Sequence, residues 1–207
     1  MSRQLYWACN MMDGSPSKYN LLKQSSFEQL DKLMSLAQTE DHVEIILKGF
    51  SSAALDILGD PLAKDKPGNL KNGEHQFSVA GFFLHIAEKR ENLLVAEQGF
   101  PKEQHRLIIQ DDVGHPGWVT ANKKPLLLSN TDEHPDFKQI LKTARMGSAM
   151  YSPMLWQGKF IGQFITASQA RNTYNIQDHH IHQVFANSAT IIFTALNGSS
   201  LGDTAPR

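Results

Sequence analysis

Apolar residues recur at helical spacing through the N-terminal third of the chain. Two such runs are separated by a polar step at residues 39–42, and residues three and four apart share one helical face. The runs are Phe27, Leu30, Leu33, Met34 and Ala37, then Val43, Ile46, Leu47, Phe50, Ala54, Ile57 and Leu58. They predict a helical region kinked or broken near residue 40. Residues 59–76, with two prolines and three glycines, predict a surface loop.

The pattern then changes to that of strands. Residues 77–87, rich in Val and Phe, and residues 93–97 predict a hairpin whose polar tip is residues 88–92. Residues 148–155 and 159–168 predict a second hairpin. Its short turn contains a glycine, which can adopt a positive φ. We expect this second hairpin in the centre of the sheet.

Glycine and proline punctuate the segment between the two hairpins. Gly114, Pro116 and Gly117 predict a tight turn, and the next two residues, Trp118 and Val119, are predicted to anchor it in the core. One helical turn is expected to follow. It should end at Lys-Lys-Pro, because the residue before a proline is driven out of the helical region. The three leucines after that proline predict a brief buried strand.

Two further helices are predicted. Residues 135–144 indicate a short amphipathic helix, and residues 176–196 a long helix with Asn175 as its N-cap and Asp178 in its first turn. The apolar residues of the short helix are Phe137, Ile140 and Leu141. From residue 198 the chain is small and polar, which predicts a disordered tail.

Composition excludes several functional classes. Lysine and arginine number 20 against 21 aspartate and glutamate in 207 residues, so the chain lacks the basic field that nucleic-acid binding needs. No stretch approaches the ~20 apolar residues of a membrane span. Cys9 is the only cysteine, which rules out an internal disulfide and a cysteine-only metal cluster. We expect a cytoplasmic protein without a nucleic-acid or membrane partner.

The element order predicts an α+β fold with a mainly antiparallel sheet. From about Leu30 to Leu196 the chain resembles a GAF domain, a small-molecule sensory fold related to PAS domains. Four segments, in the family's order, are similar to its motifs: Asp112–Asn130, Gly147–Met154, Lys159–Ile165 and Tyr174–Asp178. The chain departs from the family's pattern at residues 122–124, where many members have a glycine-containing turn, and at Asn130, where aspartate is common.

The resemblance implies a profilin-like central sheet of five to six antiparallel strands. The N- and C-terminal helices are expected on one face, where such helices commonly form a dimer bundle. The helix at residue 135 and its loops should cap the other face and its ligand pocket. Residues 27–197 are then a single domain, residues 1–26 an N-terminal extension and residues 198–207 the tail.

The resemblance also suggests ligand-binding residues on the capped face. Pockets of this kind are mostly apolar with a few convergent polar groups. The candidates are Phe83, His85, Trp118, Asp132, Phe137, Ser148, Met150, Phe164 and Thr166. The alternative is that these side chains fill a collapsed core without ligand. The small-molecule effector is unknown, and the resemblance implies no particular cofactor.

The last helix suggests how such a domain signals. Its apolar residues cover more than one face, and Val184, Ile191 and Ala195 lie at roughly heptad spacing. These residues predict a homodimer surface, packed against Leu30, Leu33 and Ala37. We expect a non-enzymatic sensor or regulatory domain that acts on an output domain or partner. A structural dimerisation module without ligand is the alternative.

Enzymatic readings have little support in the sequence. Free methionine-(R)-sulfoxide reductases are GAF proteins that need a thiolate and resolving thiols in the pocket, whereas Cys9 lies outside the matched region. No Gly-x-Ser-x-Gly motif is present, and the adjacent Asp111 and Asp112 do not have the spacing of an acid–base pair. The prediction is therefore that the chain is not an enzyme.

Nine histidines raise a third possibility, a haem or metal redox sensor. Asp178, His179 and His182 are spaced three and four apart on the last helix and share a face. A solvated first helical turn is the simpler explanation, so we expect no metal site here. Four other histidines are candidate haem ligands, although hydrogen-bonded surface side chains are the simpler interpretation. They are His85, His105, His115 and His134.

Overall fold

The computed structural model describes residues 17–140 and 144–198, which form four α-helices and six β-strands. The helices are α1 (Lys18–Leu36), α2 (Val43–Ile57), α3 (Gly114–Asn122) and α4 (Ile176–Ala195). The strands are β1 (Ser78–Ile86), β2 (Glu91–Gln98), β3 (Ile108–Gln110), β4 (Leu126–Leu128), β5 (Ser148–Trp156) and β6 (Lys159–Ser168). Within these ranges, no helix combines the length and apolar character needed to cross a membrane.

All six strands join one antiparallel sheet in the order β3-β2-β1-β6-β5-β4. This confirms the predicted α+β class. Strands β1 and β6 are central, so the second hairpin supplies one central strand and its neighbour. The register between β1 and β2 shifts between Phe82 and Phe83, where an extra residue bulges the ladder. Strand β3 has only three residues, too few for a recognisable alternation.

Helices α1, α2 and α4 cover one face of the sheet. The core beneath them contains the T-shaped Phe50–Phe185 ring pair and the stacked Phe82–Phe164 pair. Leu33 of α1 is 6% exposed and packs into this core. The predicted placement of the N- and C-terminal helices on one face is confirmed.

The other face is covered by α3 and by irregular backbone. The predicted helix at residues 135–144 is wrong for its described part, because residues 135–140 form a turn and coil. The physical reason lies in Arg145, whose guanidinium donates to the carbonyls of Phe137 and Thr131 at 2.9 and 3.0 Å. The Phe137 carbonyl, which a helix would pair with the backbone N–H four residues further on, is thus bonded to a side chain instead. Residues 141–143 lie outside the described ranges.

Helix α3 begins at Gly114 and includes the glycine–proline segment predicted as a turn. Proline is tolerated in the first helical turn, where its missing N–H has no intrahelical acceptor. A Cβ on Gly117 would lie 2.5 Å from the Asp112 carbonyl carbon, so glycine permits this close approach. Val119 is fully buried, but Trp118 is 41% exposed. The prediction of Trp118 as a core anchor is therefore wrong.

Helix α1 begins at Lys18, capped by Ser17, inside the segment predicted as an N-terminal extension. Cys9, with the rest of residues 1–16, lies outside the described part of the chain. Residues 199–207 of the predicted tail also lie outside it.

Candidate functional site

A small apolar cavity lies on the α3 face of the sheet, between β1, β5 and β6 and the coil at residues 137–140. Its volume is about 40 Å³, enough for a few water molecules. Its described lining consists of Val79, Phe83, Phe100, Phe137, Lys138, Ile140, Met146, Tyr151, Ile165 and Ala167. Burial raises the pKa of Tyr151, so its hydroxyl is neutral.

His115, in the first turn of α3, lies beside two walls of this cavity. Its ring centre is 5.6 Å from that of Phe137 and 6.3 Å from that of Tyr151. Its Nδ1 is buried without a hydrogen-bond partner in the described residues. Burial, followed by the positive charges of His134 and Arg145, lowers the pKa of His115, although Asp136 opposes this. The ring is therefore neutral near pH 7.

Gln163 supplies a second unsatisfied polar group on the same sheet face. Its side chain is fully buried, and its Nε2 donates to the Pro116 carbonyl at 3.1 Å. That bond fixes the amide orientation and leaves Oε1 without a partner in the described part of the chain. A buried unsatisfied polar atom costs about 1–3 kcal/mol. Neither His115 nor Gln163 is part of the cavity lining itself, but His115 packs near Phe137 and Tyr151 of that lining, and Gln163 pairs in register with Phe83 of it.

Two of the nine predicted site residues, Phe83 and Phe137, line the cavity. His85 lies on the same face of β1, but at the strand end, where Nε2 is 3.3 Å from Asp111 Oδ2 and the ring contacts Phe160. Trp118 points outward. His85 and Trp118 therefore lie outside the cavity.

Asp132 also lies outside the cavity and belongs to an ion network. Its carboxylate contacts Lys71 at 2.7 Å, Arg171 at 3.0 Å and Arg145 at 3.5 Å. The hydrogen bonds from Lys71 and Arg171 lower the pKa of Asp132 to about 2. Arg171, only 2% exposed, also pairs with Glu74. Asp132 thus ties the segment before the cavity wall to the loop that precedes β1.

The remaining four predicted residues face the helices. Met150 and Phe164 belong to the core under α1, α2 and α4, and Thr166 bonds His182 of α4. Ser148 is fully buried, accepts from the backbone N–H of Tyr174 and donates to the carbonyl of Leu128. Successive residues of a strand point to opposite faces of the sheet, and these four residues lie on the face opposite the cavity. The prediction that they line the pocket is therefore wrong.

Sequence reasoning missed their neighbours on the cavity face. On β5 and β6 these are Tyr151, Ile165 and Ala167. Among the polar residues, neither Gln163 nor His115 is one of the nine predicted ligand-binding residues, although the sequence predicts His115 at the mouth of the pocket as well as among the candidate haem ligands. A signal was available: Gln163 is a polar amide within an otherwise apolar strand segment, which is unusual for a buried position.

Two of the three histidines of α4, His179 and His182, form hydrogen bonds within the fold. His182 Nδ1 lies 2.7 Å from Ser152 Oγ, and Nε2 lies 3.0 Å from Thr166 Oγ1. His179 Nε2 lies 3.2 Å from the Tyr151 carbonyl oxygen. The Asp178 carboxylate accepts from the N–H groups of Gly59 and Asn175. The proposed metal-ligand set therefore does not converge on one point.

The described structure is similar to known GAF domains. It matches the GAF domain of a phosphoenolpyruvate-protein phosphotransferase from Coxiella burnetii with 16% sequence identity and a TM-score of 0.65, over 86% of this chain and 97% of that domain. This chain has the GAF fold. No protein-family model matches it, and no curated protein matches it in sequence.

Enzymes are also among the neighbours with the GAF fold. Free methionine-R-sulfoxide reductase from Neisseria meningitidis, in complex with its substrate, shares 17% identity at a TM-score of 0.65, over 89% of this chain and 95% of that enzyme. The Staphylococcus aureus enzyme shares 20% identity at a TM-score of 0.59, over 86% of this chain and 97% of that enzyme. The prediction that the chain is not an enzyme is wrong as an exclusion, because the GAF fold serves both enzymes and non-enzymes.

Proposed function

We propose that this GAF-fold chain is a sensor or regulatory domain in signal transduction that binds a small molecule at the α3 face of its sheet. The observation that carries the proposal is an apolar cavity beside two buried, unsatisfied polar atoms, His115 Nδ1 and Gln163 Oε1. Apolar walls with a few polar groups are the usual composition of a small-molecule site.

The small size of the cavity suggests how binding is sensed. A ligand larger than a few waters has to displace Phe137 and the coil at residues 137–140 outward. The Asp132 network opposes such a displacement because it ties the preceding segment to the body of the domain. The ligand therefore has to bind the displaced arrangement more tightly than the compact one, since equal affinity for both shifts nothing.

Strand β5 provides a route from the cavity to the opposite face. The Tyr151 side chain lines the cavity, and its backbone carbonyl lies 3.2 Å from His179 Nε2 of α4. The next residue, Ser152, bonds His182 of the same helix. A shift of β5 on ligand binding is therefore transmitted directly to α4.

We propose that α4 carries this change into a homodimer. Val184 is 47% exposed and Ile191 is 55% exposed, so the predicted heptad positions of α4 remain available to a second copy. Leu33, expected to pack against them, lies in the core instead. Phe27 and Met34, also seven residues apart, are the exposed apolar residues on this part of α1. The dimer would then act on an output domain or partner.

The second candidate is a dimerisation module without ligand. The observation that favours it is the small volume of the cavity, which a filled core also explains. The two candidates differ in one measurable property, namely whether any small molecule binds on the α3 face.

Thermal-shift screening of a metabolite library, with native mass spectrometry of hits, tests the proposal. The library includes free methionine-R-sulfoxide because reductases of this compound share the fold. We expect a hit to bind one per chain. Ala167→Leu, which fills the cavity from β6, should abolish its binding, whereas Ala87→Leu, at an exposed position in the turn between β1 and β2, should not. If Ala167→Leu fails to fold, Ile165→Ala replaces it and should change the affinity by reshaping the same wall.

Two results would contradict the regulatory proposal. The absence of any hit and of any retained molecule would favour the dimerisation module. Consumption of methionine-R-sulfoxide in the presence of dithiothreitol would assign an activity to the chain in place of a regulatory role.

A further inference from the structure

We infer that the ligand of this cavity carries one anionic group, such as a carboxylate, which lies at the cavity mouth beside His115 and Lys138. This inference rests on the binding function proposed above and adds the chemical class of the ligand. It stands on the distribution of charge around the cavity, on the position of the unsatisfied His115 nitrogen and on the apolar character of the interior.

Lys138 is the one charged residue in the described lining of the cavity. Its stem lies against the start of α3, since a Cβ on Gly114 would be 3.5 Å from Lys138 Cβ. Lys138 has no ion-pair partner within residues 17–140 and 144–198. An ammonium group without a counter-ion at the edge of an apolar cavity attracts an anion. No aspartate or glutamate lines the described cavity to compete with it.

The ion network behind the cavity wall is also positive overall. It joins three cations, Lys71, Arg145 and Arg171, to two carboxylates, Glu74 and Asp132. Three positive charges against two negative charges leave one positive charge. Arg145 places one of these positive charges next to the cavity wall, because its guanidinium carbon lies 4.6 Å from the centre of the Phe137 ring.

His115 completes the proposed mouth. Its Nδ1 is buried and unpartnered, and its ring lies between the cavity walls Phe137 and Tyr151 and the neighbouring His134. An anion beside the ring would favour the protonated imidazole, in which both nitrogens are donors. Nδ1 could then donate a charge-assisted hydrogen bond to the ligand. The same anion would thus give His115 Nδ1 a hydrogen-bond partner and balance the nearby positive charge.

Proton uptake follows from this arrangement. In the free protein, burial and the charges of His134 and Arg145 lower the pKa of His115, against Asp136. Lys138 adds a further cation, and Tyr151 faces the ring as a neutral phenol. A bound anion raises the pKa of His115. The affinity for that anion must therefore fall as the pH rises from the His115 pKa of the free protein towards that of the complex. The decrease is at most about tenfold per pH unit.

Matched acid and amide probes test the inference on the full chain. The probes are hexanoate and 3-phenylpropanoate, each compared with its uncharged amide, titrated by isothermal calorimetry at pH 6 and pH 8. We expect the acids to bind at least tenfold more tightly than the amides at pH 6, and this preference to shrink at pH 8. Calorimetry in buffers of different ionisation enthalpy should show proton uptake on binding of the acids.

Two variants and two controls locate the effect. Lys138→Gln and His115→Gln should each reduce the preference for acids, and His115→Gln should also remove the pH dependence. The controls Lys102→Gln and His105→Gln change an exposed lysine and an exposed histidine outside the cavity, and should leave both properties unchanged. Lys138 and Lys102 are both on the surface, so these two variants are expected to fold.

The outcomes separate the two proposals. Equal binding of acids and amides would overturn the anionic class while leaving a binding function in place. Failure of all four probes, with a hit from the metabolite screen that is uncharged, would also overturn it. Failure of every probe and every library compound would overturn both. An acid preference that survives in both His115→Gln and Lys138→Gln would show that the anion binds elsewhere.

Discussion

His182 is a fully buried titratable side chain between the sheet and α4. Its ring stacks on Phe164 at a centroid distance of 4.2 Å, and its two nitrogens bond the hydroxyls of Ser152 and Thr166. The hydroxyls suit a neutral ring, since one can accept from its N–H and the other donate to its bare nitrogen. Burial, with a smaller effect of His179, lowers the pKa of His182 well below its usual value.

The His182 environment predicts acid sensitivity. The unfolded chain binds a proton at this histidine below about pH 6.5, whereas the folded chain does not until a lower pH. Stability should therefore fall as the pH drops from 7 to 5. Urea denaturation at these two pH values measures the effect. His182→Gln should lower stability at pH 7 and flatten the pH dependence, while His180→Gln, an exposed neighbour on α4, should retain it. An unchanged slope in His182→Gln would contradict this explanation.

At the scale of the element, α4 is held at its start by a capping box. The Asn175 side chain accepts from the N–H groups of Gln177 and Asp178 at 2.8 and 3.2 Å, and the Asp178 carboxylate accepts from the Asn175 N–H at 2.9 Å. The same carboxylate accepts from the N–H of Gly59, just after α2. The cap therefore also fixes the start of α4 against the neighbouring helix.

Removal of the Asn175 cap should lower the free energy of unfolding. Asn175→Ala leaves the two first-turn N–H groups without their acceptor and should cost about 1 kcal/mol of unfolding free energy. Chemical denaturation monitored by circular dichroism measures it. Gln177→Ala, an exposed substitution in the same helical turn, serves as the control and should change stability by less than about 0.5 kcal/mol. Equal effects of the two substitutions would argue against a role for the cap.

At the scale of the whole molecule, the sheet separates two surfaces of different structure. One surface carries the cavity under α3, and the other carries helices whose outer residues remain apolar and exposed. Strand β5 contacts both, through Tyr151 on the cavity side and Ser152 on the helix side. This arrangement suits a domain in which occupancy on one face alters assembly on the other.

The exposed apolar residues of α4 predict a homodimer in solution. Light scattering at tens of micromolar should give twice the mass of the chain. Val184→Glu combined with Ile191→Glu places charges where the second copy should pack and should yield a monomer with little loss of stability, since both side chains are exposed. Leu62→Glu changes an exposed leucine outside the helices and should leave the dimer intact. A monomeric wild-type chain would refute the proposed assembly.

The amino-acid sequence by itself determined the order and approximate bounds of most elements. Helical spacing located α2 and α4, and runs rich in apolar strand-forming residues, separated by turn residues, located both hairpins, because these signals depend only on near neighbours. The capping residues Asn175 and Asp178 were identifiable for the same reason. The motifs along the chain therefore sufficed to predict the α+β fold and the similarity to GAF domains.

Only the tertiary structure decided which side chains form the site. Strands β1, β5 and β6 are mostly buried on both faces, so no polar alternation in the sequence shows which face meets the helices. Met150 and Phe164 were therefore assigned to the cavity in place of Tyr151 and Ile165. Asp132 meets Arg171, 39 positions along the chain. Likewise, Gln163 meets Pro116 across 47 positions. Such contacts arise when the sheet brings distant segments together, and no local pattern encodes them.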